Sequence, residues 1–315
     1  MEFMFSSVLT TIYLVENIAG LVCSVFIISV NCYCYIRGQG LNPIDQIIVC
    51  LTFYDAIFSG SNGASILCSV LLPNATSVDK ILSCISIFSV LSCAWFNACL
   101  CCYFFVKICD HKLGFLAQLK RNIDPLMPRI ILAIHFLPIA STLVTSLSSN
   151  GVYTANTTAP ALQKSFFTYS GENVSIAFAL MFINCGIPTL IVTVTTAHII
   201  VSLCKHTRHM QENVGDAGGP NLKVLRRAAY TMICLLIFYI IACAVLIIVL
   251  LSQDQRVHYI NYLMGYALPS AEGAILILGN NRLRGACLHI LHKYRAKSNH
   301  GGEGVSTTGA SQPAS

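Results

Sequence analysis

The chain has 315 residues, of which 55% are hydrophobic and only 10% charged, with a formal net charge of +6. Soluble domains carry about 25% charged residues, so this composition excludes an ordinary water-soluble fold. The positive balance does not read as a nucleic-acid signal either, because the basic residues lie between apolar runs rather than in one patch.

A helix needs roughly 20 apolar residues to cross the bilayer core. Seven runs meet that length, at about 8–36, 44–72, 80–108, 126–149, 174–204, 228–251 and 258–280. The expected architecture is an all-α membrane protein, a seven-transmembrane helix bundle over residues 1–297. Residues 298–315 are Gly/Ser/Thr-rich and read as a disordered cytoplasmic tail. The first run is too long for a signal peptide and lacks a small-residue cleavage site, so it is expected to be its own insertion signal.

The first run carries Ala19, Gly20 and Ser24, and the second Gly60, Ser61, Gly63 and Ala64; small residues let membrane helices approach closely. Pro138, Pro188 and Pro269 fall inside the fourth, fifth and seventh runs, where each removes a backbone bond and kinks its helix. Five ionisable residues sit at membrane depth: Glu16, Asp55, His135, His198 and Glu272. Such groups are costly in lipid and are functional candidates by default. The two histidines read as hydrogen-bonded side chains. Asp55 and Glu272 read as facing the interior, with Asn31 a candidate partner for Asp55. Most of the 16 cysteines lie within the runs, where Cys behaves as a small buried hydrophobe. Cys99 and Cys102 have a ligand-like spacing but no further partners at the right depth, so no metal and no cofactor is expected. The stretch 150–173, an expected outer loop, contains no Cys, which excludes a disulfide from it to the third span.

Beyond the seventh run, Leu283, Cys287, Ile290, Leu291 and Tyr294 share one helical face, with Arg282, Arg284, His289, Lys293 and Arg295 around the rest. That pattern predicts a short amphipathic helix in the membrane interface, its cations near lipid headgroups.

Short-loop Lys and Arg stay cytoplasmic. With the N-terminus outside, the inner segments hold Arg37, Lys107, Lys112, Lys120, Arg121, Arg129, Lys205, Arg208, Lys223, Arg226, Arg227, Arg282, Arg284, Lys293, Arg295 and Lys297. Only Lys80, Lys164 and Arg256 of the 19 basic residues are then outside. The expected orientation is therefore N-terminus extracellular and C-terminus cytoplasmic, in the plasma membrane. Glycosylation sequons at Asn74, Asn156 and Asn173 agree, since none falls in an inner loop. Enzyme signatures such as GxSxG, HExxH, a phosphate loop or GxGxxG do not occur, so no enzyme is expected.

Several longer motifs carry a family signal. Pro188 is followed by Ser202–Leu203–Cys204–Lys205–His206–Thr207–Arg208–His209–Met210, matching a fifth-span proline and SLxxHxxxM. Pro269–Ser270 and Leu276–Ile277–Leu278–Gly279–Asn280–Asn281–Arg282–Leu283–Arg284 lie close to PS…LIxGNxKLK, and Leu100 to Ile108 are similar to LxxFYFLKI. Leu119–Lys120, Ile123–Asp124, Glu16, Gly20, Phe26–Ile27 and Val30–Asn31–Cys32 add shorter matches. On these residues the chain resembles the bitter taste receptor family (taste receptor type 2). The departures are Ser24 for an Asn, Leu51–Thr52–Phe53–Tyr54–Asp55 for LAxSR, and Glu272–Gly273 for His-Ser. Two basic or titratable positions thus become acids.

The resemblance implies a G-protein-coupled receptor for small apolar or amphipathic, bitter-type agonists. It also implies a heterotrimeric G protein with a gustducin-like alpha subunit and a rise in intracellular calcium, with membrane lipids as the other partner and no nucleic acid. Ligand sites between helices have a few polar groups in an apolar lining. The expected set is Ser86 and Val90, at positions that touch agonists in the family, with Met181, Phe182, Phe238, Tyr239 and Tyr262. The expected G-protein face and gate comprises Lys107, Leu203, His206, Arg226 and Arg227. A type 1 vomeronasal-like receptor is the alternative, disfavoured by the SLxxHxxxM match. A transporter or channel is the other, disfavoured by the lack of an internal repeat or a clustered charge array.

Overall fold

The computed structural model describes residues 2–72, 76–108, 114–148, 179–180, 182–214, 227, 230–241, 244, 248 and 255–302. In an apolar solvent the backbone has only itself to bond, so a spanning segment closes its hydrogen bonds as helix. The described elements are all helical. They are α1 Glu2–Ile36, α2 Pro43–Leu71, α3 Thr76–Ile108, α4 Gly114–Ile134, α5 Phe136–Ser148 and, after a π-helical turn Phe182–Gly186, α6 Ile187–Val214. A further helix α7 covers Tyr230–Ile241, followed by α8 Gln255–Gly279 and α9 Asn281–Gly302.

Five segments are long and apolar enough to cross a membrane: Ser7–Ile36, Pro43–Cys68, Ser77–Ile108, Ala117–Ser146 and Phe182–Ser202. They overlap the first five expected runs, the fourth beginning nine residues earlier than expected at Ala117. Tyr230–Ile241 and Leu263–Gly279 are apolar but shorter, and fall inside the sixth and seventh. Large apolar side chains cover the outside of the bundle, among them Ile36, Leu132, Leu143, Leu190 and Val201. The interior is built from Ile27, Leu51, Phe96, Leu100, Met127, Met232, Leu276 and Leu283.

Helix α3 is central, packed against α2, α6, α4 and α5, while α1 packs against α2 and α8. The α1–α2–α8 junction depends on Gly20. A Cβ there would sit 2.7 Å from Ser59 Oγ on α2 and 3.0 Å from Pro269 Cβ on α8. Gly60, by contrast, has open space on its side.

Two of the three expected prolines, Pro138 and Pro188, coincide with helix irregularities, whereas the helix around Pro269 runs on unbroken. Pro138 has no N–H for the Ile134 carbonyl, and the helix breaks one residue later at His135, whose N–H takes a tighter bond to Leu132 O at 3.3 Å. Pro188 cannot serve the Asn184 carbonyl, and the turn just before it widens to the π form. Pro269 lies within α8.

Helix α9 is tied down at its start. Asn280 Oδ1 accepts the Arg282 backbone N–H at 2.9 Å, Arg282 Nη1 reaches Asp45 Oδ2 at 3.0 Å, and Leu283 is fully buried. Leu288, Ile290 and Leu291 remain exposed farther along. The helix continues past Ser298 to Gly302; residues 303–315 lie outside the described residues.

Replacing Gly20 by Val is expected to wedge α1 away from Ser59 and Pro269, with overpacking costing about 1–3 kcal/mol. Gly60→Ala should be neutral. Thermal unfolding midpoints of the two purified variants check this; equal midpoints would rule out the close approach.

Candidate ligand site, polar centre and ion-paired end

Polar side chains inside the bundle have three physical solutions, and each marks a different place. The commonest is local. Asn17, Asn31, Thr52, Ser89, Ser92, Thr145 and Thr195 all donate to the carbonyl one turn back on their own helix. This corrects the expected Asp55–Asn31 pair. The Asn31 amide donates to Ile27 O at 2.9 Å, because a carbonyl on its own helix is always within reach. Asp55 Oδ1 instead faces Cys93 Sγ on α3 at 3.3 Å.

The second solution ties helices together. At the centre, Asn97 on α3 donates to Cys93 O at 3.1 Å, to Tyr239 Oη on α7 and to the Glu272 carboxylate on α8. Asp55 and Glu272 are both about 2% exposed. A second tie joins α3 to the π turn and α5. Trp95 Nε1 donates to Asn184 Oδ1 at 3.3 Å, and Asn184 Nδ2 donates to Ser141 Oγ at 2.8 Å. Sequence reasoning did not single out Asn97, Trp95 or Asn184. Their signal was available, as a polar group isolated in an apolar run. His135 does make the expected local bond, Nδ1 to Ile131 O at 2.7 Å, and packs beside Tyr54 and Phe96.

The third solution is ionic and lies where α3 ends. Asp124 on α4 accepts from Tyr103 Oη at 2.9 Å and pairs with Lys107 Nζ at 2.8 Å. The two ion-pair side chains are 31% and 47% exposed, so water screens them. Arg282 and Asp45 form the second pair, and the Arg227 guanidinium donates to the Asn281 side chain. A concavity of about 460 Å³ runs along α4, lined by Gln118, Leu119, Asn122, Pro125, Leu126 and Arg129.

The expected ligand set separates under this geometry. Ser86 is buried, donating to Asn62 Oδ1 on α2 at 3.0 Å. Val90 is half-buried one turn farther along α3, and Phe238 and Tyr239 are half-buried on α7. Tyr239 joins the polar centre. Phe182 is 68% exposed, out of the packed interior. Met181 lies outside the described residues, and Tyr262 is placed in α8 without a described side chain. Leu203 and His206 lie in α6, likewise without described side chains, and Arg226 is outside the described residues. Lys107 and Arg227 take the contacts given above. The sequons at Asn74, Asn156 and Asn173 lie outside the described residues. Among the described residues no three His, Cys, Asp or Glu side chains gather as a metal-ion set, and the described cysteines are free thiols.

The family model for the Taste receptor protein (TAS2R) family matches residues 1–295. The chain is 26% identical over 314 residues to taste receptor type 2 member 14 of Macaca mulatta, covering 96% of each. It is 25% identical over 305 residues to taste receptor type 2 member 40 of Gallus gallus, covering 93% of this chain and 96% of that one. Member 9 of Macaca mulatta is 23% identical over 286 residues, with 84% and 87% covered.

Asn97→Leu removes the donor shared by Glu272 and Tyr239 at nearly constant volume. Leaving a buried acceptor unsatisfied costs about 1–3 kcal/mol, so the unfolding midpoint of the purified protein should fall. Ser92→Ala, which loses only a bond to Phe88 O on its own helix, should stay near wild type. Equal losses in the two variants would show that the cross-helix tie has no special weight.

Proposed function

This chain belongs to the taste receptor type 2 family, and we propose that it is a G-protein-coupled receptor for small, bitter-type apolar or amphipathic molecules. The match across residues 1–295 carries the reading. We read the bundle as seven spans. Five helices have the required length, and the apolar helices Tyr230–Ile241 and Leu263–Gly279 fall where the sixth and seventh are expected. The positive-inside distribution supports an extracellular N-terminus and a cytoplasmic C-terminus at the plasma membrane. Residues 1–297 then form the receptor domain and 298–315 a cytoplasmic tail, with sugars on Asn74, Asn156 and Asn173.

An agonist enters from outside and binds between the outer halves of the helices, near Ser86, Val90, Met181, Phe182, Phe238, Tyr239 and Tyr262. Its differential affinity for two bundle arrangements shifts their populations. A heterotrimeric G protein, gustducin-like in its alpha subunit, reads the shift at the inner end and raises intracellular calcium. Lys107, Leu203, His206, Arg226 and Arg227 form that inner face. The Lys107–Asp124 pair fits a resting restraint there, being strong enough to bias the bundle and exposed enough to open. Anionic headgroups meet the cations of α9.

Cells expressing the receptor with a promiscuous G protein should give calcium transients to members of a bitter-compound panel. Tyr262→Ala should lower agonist potency at equal surface expression. A receptor that reaches the surface yet stays silent across a broad panel and all co-expressed G proteins would refute the assignment.

Asp124→Asn removes the ion-pair partner of Lys107. An exposed pair contributes at most about 1 kcal/mol, so stability should hardly change while basal calcium signalling rises by up to roughly fivefold. His206→Ala should also change basal or agonist-driven signalling at equal surface expression. Wild-type basal and maximal responses in both variants would place the gate elsewhere.

A further inference from the structure

The seam between α3, α6 and α7 brings together two sulfur atoms that the receptor reading does not use. Cys101 Sγ on α3 meets Met232 Sδ on α7 at 3.3 Å. Each residue is 1% exposed, and both lie in the apolar interior with Leu100 and Val192. Thr196 on α6 lies beside the same thiol. Its Oγ1 is buried without a hydrogen-bond partner, on a residue 0% exposed. Three helices thus bring a thiol, a thioether and an open hydroxyl oxygen to one dry point. A thiol is a weak donor and a thioether a weak acceptor, so packing alone gains little from this set over aliphatic side chains.

We propose that this seam binds one soft monovalent metal ion, copper(I) or its congener silver(I), with Cys101 Sγ and Met232 Sδ as ligands and Thr196 Oγ1 on its third side. Softness selects the element, because thiolate and thioether ligands favour copper(I) over hard cations. Charge selects the oxidation state. As the metal–sulfur bond forms, the Cys101 S–H bond breaks and its proton leaves to water; the thioether lends a lone pair and loses nothing. One thiolate and one monovalent cation leave the site neutral. A divalent ion would leave a net charge where burying one is costly. Zinc also lacks ligands here, since it takes four, and among the described residues no three His, Cys, Asp or Glu side chains gather. Metal–sulfur bonds of about 2.3 Å, about 120° apart at a three-coordinate ion, hold two sulfurs about 4 Å apart. The pair therefore opens by less than the length of one bond, a shift that the flexible Met side chain absorbs. Cys101 lies in the last third of α3, which ends at Ile108. In the proposed orientation that is the cytoplasmic half, where thiols stay reduced. Half-buried Cys102 adjoins it and offers an entry step by ligand exchange. An ion held there ties α3 to α7.

The test uses the purified full-length receptor in chloride-free buffer, with silver(I) as a redox-inert probe. A ligand that binds only the folded state raises the unfolding midpoint, here by about 5 °C at free silver a hundredfold above its dissociation constant. The chain has 16 cysteines, so silver held by other thiols has to be told apart. Met232→Leu keeps every thiol and nearly the same core volume, and it should lose the increment. Cys101→Ser should lose it as well, and carries the comparison if Met232→Leu cannot be purified. Cys234→Ser, which removes an exposed thiol of α7, should retain it. These measurements need neither agonist nor G protein, so their outcome is separate from that of the receptor assignment. An equal increment in wild type and Met232→Leu would overturn the proposal, since silver would then sit on thiols alone. So would the absence of any increment, or a Met232-dependent increment of the same size with zinc.

Discussion

Every backbone polar group that crosses the membrane core has to find its partner inside the protein, because lipid offers none. That constraint dictates the helices first, since only a closed backbone ladder survives in hydrocarbon. It then dictates what each side chain does. Ser, Thr and Asn within the helices mostly fold back on a carbonyl one turn earlier, as Thr52 does on Ile48 O at 2.8 Å and Thr193 on Thr189 O at 2.7 Å. Such bonds satisfy the side chain without tying one helix to another. Among the described residues, polar groups that reach across helices, such as Asn97, Asn184, Ser86, Asp55 and the two ion pairs, are therefore the ones that define the arrangement of the bundle.

The breaks in the helices obey the same accounting. Each proline frees one carbonyl, which must be met by a changed turn or a side chain. The π turn Phe182–Gly186 precedes Pro188 and contains Asn184, whose side chain binds three helical segments through Trp95, Ser141 and Leu180 O. Extra backbone at a π turn re-aims a side chain. Here it aims the one buried polar residue of that turn, Asn184, into the bundle. The kink and the cross-helix tie are consequently one feature, and a change in either shifts the other.

Five spans and the helix irregularities near Pro138 and Pro188 were legible in the sequence because they follow from one-dimensional properties, apolar length and proline position. Cysteine burial was legible only in part, since Cys93, Cys99 and Cys101 are buried while Cys32 and Cys234 are exposed. The interruption at His135 and the widened turn before Pro188 appear where the prolines predict them. Lateral partners were not legible. Asp55 and Asn31 looked like a pair because both are polar at similar depth, yet helix rotation sets Asn31 against its own Ile27 and Asp55 against Cys93. Gly20 was legible as small; that it admits both Ser59 and Pro269 needed the third dimension.

The distribution of strength along the bundle follows from dielectric. At the end where α3 meets α4, the Lys107–Asp124 pair is half in water, so its Coulomb energy is small and salt-sensitive. Asp45 is nearly buried, with a side chain 8% exposed, so its bond to Arg282 fixes the start of α9 more firmly. At the centre, Asn97, Glu272 and Asp55 sit where water is excluded and an unmade bond costs most. A rearrangement therefore meets little resistance at α4, more at α9, and most at the polar centre, unless the centre exchanges one complete set of partners for another. A bundle built this way yields first where α3 meets α4 and last at its polar centre, because the cost of an unmade polar contact rises with burial.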